Sequence, residues 1–107
     1  MIVVTTDTVA GHAITKTLGT VIGNTIRARH LGKDISAGLR SLVGGEITEY
    51  TGMMAESREQ SLQRMLDRAK ELNADAIVGV RFQTSMIMQG SAELLVYGTA
   101  VNLKQNK

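Results

Sequence analysis

Residues 76–103 read AIVGVRFQTSMIMQGSAELLVYGTAVNL, and two periodicities run through them. Up to residue 88 apolar and polar side chains alternate: Ala76, Val78, Val80, Phe82, Met86 and Met88 fall on one face, Arg81, Gln83 and Ser85 on the other. A period of two is that of a half-buried strand. Gln89-Gly90-Ser91 reads as the turn of a hairpin. The strand after it, over 93–103, is apolar on both faces, with Leu94, Val96 and Ala100 opposing Leu95, Tyr97, Val101 and Leu103. One layer of helix covers one face of a small sheet, so the second face calls for a further partner. A second copy of the same chain is the simplest one.

The covering layer stands upstream. From Ile47 to Leu72, Ile47, Tyr50, Met54, Leu62, Met65, Leu66, Ala69 and Leu72 recur at spacings of three and four. Glu56, Glu59, Arg64, Asp67, Arg68 and Glu71 take the other side. The pattern is that of an amphipathic helix of about 40 Å, with Asn73 as a left-handed stop. Before it, Asp34 or Ser36 can cap a short helix over 36–43 that ends at Gly44-Gly45. Ile2 to Thr6 and residues 13–28 are rich in β-branched residues and read as strands. Gly19 and Gly23 inside the second of these point to a bulge or to another backbone passing close by.

With 107 residues, the chain has the size of one domain, taken here as 1–107. Three aromatics leave the core to aliphatic residues and six methionines, and Met53, Met54, Met86 and Met88 read as core filler. No cysteine is present, which rules out disulfides and thiolate metal sites and suits a cytoplasmic protein. No run approaches the ~20 apolar residues of a membrane span. A net charge of +2 with three aromatics gives neither a basic face nor a stacking platform, so no nucleic acid is expected as partner.

Three segments in order, GLRSLVGGE (38–46), NADAIVGV (73–80) and YGTAV (97–101), with Thr5-Thr6 and the long helix between, resemble the YbjQ-like family, described as candidate heavy-metal-binding proteins. The likeness runs over essentially the whole chain. It implies an α+β fold: a small β-α-β-β two-layer domain whose antiparallel sheet is backed by one long helix plus a short one, assembled into a ring-shaped homopentamer.

No ligand motif comes with the resemblance, so the residues themselves are the guide. Without Cys, and with His12 and His30 far apart in sequence, a closed site for a divalent or soft metal ion is poorly furnished within one subunit. A ring could gather one His12 from each copy, which makes His12 the better metal candidate. Arg27, Arg29 and Lys33 near a helix start are candidates for anion binding, against a plain solvated rim. Arg40 and Glu46 are expected to pair across the corner between the two helices. Leu95, Tyr97 and Val101 are expected at the oligomer interface. No nucleophile elbow or ordered triad exists, and no enzyme is expected. The expected role is a ring-forming binding or scaffold protein. The alternatives are a small-molecule or anion-binding module with its site at the subunit boundary, or an enzyme with a shared site.

Overall fold

The computed structural model describes residues 1–28, 48–88 and 91–106. They form a small α+β domain of strands β1 (Ile2–Val3), β2 (His12–Ala28), β3 (Ala76–Met88) and β4 (Ser91–Gln105), with helix α1 (Thr48–Glu71). The short helix expected over 36–43 lies outside the described residues.

The sheet has the order β1-β3-β4-β2. β4 runs antiparallel to both of its neighbours, as a hairpin sequence dictates. β1, however, runs parallel to β3, so the sheet is mixed and the expectation of an antiparallel sheet is corrected. A parallel pair needs a long crossover, and here everything from β2 to the end of α1 supplies it. The first strand is also shorter than the expected Ile2 to Thr6, but backbone bonds extend its grip: Val4 N–H to Ile77 C=O (3.0 Å), Val80 N–H to Val4 C=O (3.1 Å) and Gly79 N–H to Thr6 C=O (2.8 Å).

α1 matches its expected bounds to within a residue at each end. Its stop is a Schellman motif: Asn73 adopts φ 60°, its N–H bonds Lys70 C=O (3.0 Å), and Ala74 N–H bonds Ala69 C=O (3.1 Å). The helix lies over β2 and β4. Met65 and Ala69 are buried against Val21, Ile77, Val80, Val96 and Ala100, with Leu62 and Leu66 at the margin, while Leu72 stays exposed.

Ser57 and Ser61 continue the line of Met65 and Ala69 at intervals of four and are fully buried. They let helix and strand approach until backbones nearly touch. A Cβ on Gly23 would collide with Ser61 C=O and come within 2.6 Å of Met65 N. The hydroxyls are satisfied in place: Ser61 donates to Thr25 Oγ1 (2.9 Å) or to Leu94 C=O (3.1 Å), and Thr25 to Ser57 C=O (3.3 Å). Gly19 fills the other expected role, with φ 129° beside a register shift between Thr17 and Gly19.

β3 departs from its sequence pattern. Gly79 takes φ 62° and the register with β4 slips between Val78 and Arg81. This bulge exchanges the two faces midway along the strand. Ile77 and Val80 therefore both face the helix, whereas Ala76 and Val78 turn to the other side and pack with Val9 and Val101, flanked by Ile2, Val4 and Leu103. The expected single stripe from Ala76 to Met88 is thus two stripes. Its outer part is not core: Phe82 is 48 % and Met86 80 % exposed, because α1 does not extend over that part of β3.

Candidate functional site

The second core also changes the reading of the open face. At the inner end of the sheet the chain covers that face itself, with Val9 packed on Ala76, Val78 and Val101 and Ile2 and Val4 of the edge segment flanking them. Val101, expected at an oligomer interface, is 1 % exposed within the single subunit and has no surface left to offer. Leu95 and Tyr97 lie further along β4, half-buried, where the N-terminal segment no longer reaches. Tyr97 sits opposite Ile22 on one side and Arg81 on the other. Arg81 is held by Thr5 C=O and Val80 C=O, each 2.8 Å from Nη1, and so marks the border between the covered and uncovered halves.

Beyond that border exposed apolar residues stand among polar ones, Asn24, Gln83 and Ser85. Ile22 is 39 % exposed, Ile26 58 % and Ile87 about half, and Phe82 and Met86 add to them on the helix side of β3. Between Ile22 and Ile26, Asn24 Nδ2 donates to Glu93 Oε2 (3.2 Å) and Asn24 C=O accepts from Arg64 Nη1 (2.6 Å). Ile22 and Ile26 are exposed on the face away from the helix, and Phe82 and Met86 on the helix side, so the outer end of the sheet shows apolar residues on both faces.

His12 opens β2 in a tight turn, with its N–H on Val9 C=O (3.1 Å) and Asn106 N–H on Gly11 C=O (2.9 Å). Its ring Nδ1 lies 3.0 Å from Ala10 C=O. A carbonyl only accepts, so Nδ1 is the donor in this contact, which leaves Nε2 as the ring nitrogen that a metal would take. It is one ligand and no more. Among the described residues no group of three or more His, Asp or Glu gathers as a metal site would need, and a single subunit's described residues do not fit a heavy metal.

Arg27 stands on β2 opposite Ala92. Arg29, Lys33, Arg40 and Glu46 lie outside the described residues, so the anion cradle and the Arg40–Glu46 pair rest on the sequence alone. The residues that sequence reasoning missed are Ile22, Ile26 and Ile87. The signal for Ile22 and Ile26 was their spacing of four along one face of β2. Gly79, inside an otherwise regular strand, was the signal for the bulge that separates the covered half from the open one.

A family model described as "Putative heavy-metal-binding" matches residues 1–104. The chain belongs to the YbjQ-like family. A UPF0145 protein of Methanosarcina acetivorans is 60 % identical over 103 residues, covering 96 % of this chain and 97 % of the relative. One from Archaeoglobus fulgidus is 56 % identical over 104 residues, covering 97 % and 96 %. Among solved structures, a protein of unknown function from Pediococcus pentosaceus, assigned to the DUF74 family, superposes with a TM-score of 0.69 at 18 % identity, covering 97 % of this chain and 98 % of that one. At that identity the likeness is one of fold. Among the described residues no helix is long and apolar enough to cross a membrane.

Proposed function

We propose that this YbjQ-like protein is a ring-forming homo-oligomer, a homopentamer as the family resemblance implies, acting as a non-catalytic binding or scaffold protein in the cytoplasm. The observation that carries the reading is the uncovered apolar end of the sheet, Ile22, Ile26, Phe82, Met86 and Ile87.

Light scattering at micromolar concentration should report about five subunits. Tyr97→Glu, which sets a charge beside Ile22, should break the assembly or make it insoluble. A well-behaved wild-type monomer would refute the reading.

Metal binding enters only through the ring, since one imidazole per chain becomes a ligand set when copies bring His12 together. Zinc titration followed by calorimetry should then show fewer than one ion per chain, lost in His12→Ala. A tight site with one ion per chain that survives His12→Ala would place the ligands elsewhere.

A further inference from the structure

The two cores share no residue, and the smaller is closed by the N-terminal segment. Val9 packs on Ala76, Val78 and Val101, with Ile2 and Val4 flanking them, yet of residues 2–9 only Val9 is itself buried. Val3 alone reaches the larger core, at its margin. Backbone bonds tie the segment to the sheet at Val4 and Thr6, while the bond at its start, from Ile2 N–H to Asp75 C=O, is long at 3.4 Å. The segment joins β2 through a turn at Gly11. That glycine takes φ 79°, with nothing within 4 Å of where a Cβ would stand, and Asn106 N–H pins its carbonyl to the body of the domain (2.9 Å).

Arg81 supplies a side-chain hold. Its Nη1 donates to Thr5 C=O and to Val80 C=O, 2.8 Å each, and so grips the segment where it turns away from the sheet edge. Both acceptors are neutral, and Arg81 is exposed. When the bond to Thr5 opens, water replaces it and no buried charge is left without a partner.

We propose that residues 2–9 are a releasable strap, hinged at Gly11 and latched by Arg81 on Thr5, which sets how much of the sheet's outer face is open. Side chains alternate along β4, so Val101 stands on the same face as Tyr97 and Leu95. With the strap down, the open part of that face stops at Arg81. With it raised, Val78 and Val101 join Tyr97, Leu95 and Ile22 in one longer apolar surface. The bond from His12 N–H to Val9 C=O (3.1 Å) opens with the strap. The larger core, around Met65, Ile77 and Val96, lies on the opposite face and stays packed under α1, so the opening is local. Its use as a control on assembly rests on the homo-oligomeric reading above, because a longer apolar face gives a neighbouring copy more to cover. Release itself is a property of one subunit.

The chain has no cysteine, so an engineered thiol reports burial without background. Val101→Cys places one beneath the strap, and Val96→Cys places one on the same strand beneath the helix, at positions that are 1 % and 0 % exposed. Labelling by excess iodoacetamide, each rate referred to that of the same variant unfolded in urea, should be faster for Val101→Cys. Adding Arg81→Ala should raise that rate about five-fold, the factor one hydrogen bond is worth, and leave Val96→Cys unchanged. Val78→Cys is the second thiol beneath the strap, used if circular dichroism shows that Val101→Cys does not fold. Equal protection of the thiols on the two faces, or an equal rise in both on adding Arg81→Ala, means that the segment opens only with the whole domain and overturns the strap. No rise beneath the strap on adding Arg81→Ala overturns the latch. A wild type that scatters as a monomer removes the homo-oligomeric reading, while faster labelling beneath the strap in that monomer still supports release.

Discussion

The two halves of β3 are built from similar residues and meet opposite fates. From Ala76 to Val80 every side chain is buried, with the helix on one face and the folded-back N-terminal segment on the other. From Arg81 to Ile87 every residue is exposed, although Phe82, Met86 and Ile87 are as apolar as anything in the core. Hydrophobicity along a strand therefore says which residues need cover and not which segment supplies it. In the inner half the cover is part of the same chain, and in the outer half, in the proposed ring, it is another copy.

The sharpest test of that contrast is Ile77→Ala in the inner half. Ile77 is fully buried between helix and sheet, and truncating it should cost about 2–5 kcal/mol. Because everything Ile77 packs against belongs to its own subunit, the destabilisation seen in denaturant unfolding should not depend on protein concentration. Gly23→Ala comes next. Its new methyl must push α1 off β2, at about 1–3 kcal/mol, and a neutral result would show that the close approach at Ser61 is not required. The smallest effect belongs to Phe82→Ala in the outer half. Dilute, it should change the melting midpoint by little, since surface substitutions usually stay within about 0.5 kcal/mol. Concentrated, the variant should fall behind the wild type if, as in the proposed ring, a neighbouring copy covers Phe82. A concentration-independent effect as large as that of Ile77→Ala would erase the distinction between the halves.

Much of this was legible in the residues. The helix and its Asn73 stop follow from spacing and from one residue that tolerates a positive φ. The two glycines of β2 signalled a bulge and a close approach, and Gly19 and Gly23 supply one each. The parallel pairing of β1 was not legible, since a two-residue strand leaves no periodicity and its partner is remote in sequence. Nor was the exchange of faces in β3: alternation counted across Gly79 joins the two stripes wrongly, and a second register shift between Met86 and Met88 breaks it again. Ser57 and Ser61 escaped because a polar residue at a helix–sheet contact reads as surface until the close approach that requires a small side chain is known. At the candidate site, Tyr97 and Leu95 are half-buried on the face of β4 away from the helix, whereas Val101 is buried with Val9, whose reach cannot be read from its own residues.

The distance in sequence between β1 and β3 also sets an order in time. Ile2 and Val3 leave the ribosome about 70 residues before Ala76 and Ile77, their partners. At roughly 5–20 residues per second of synthesis, they wait on the order of 4–15 s, during which the apolar N-terminal segment has nowhere to dock. Ile2 and Val3, made before every other described strand, are thus among the last to settle. In the finished protein the same segment, held by few bonds across a long loop, should be the first to lift away in hydrogen exchange, uncovering Val78 and Val101 while the helix side of the sheet stays closed.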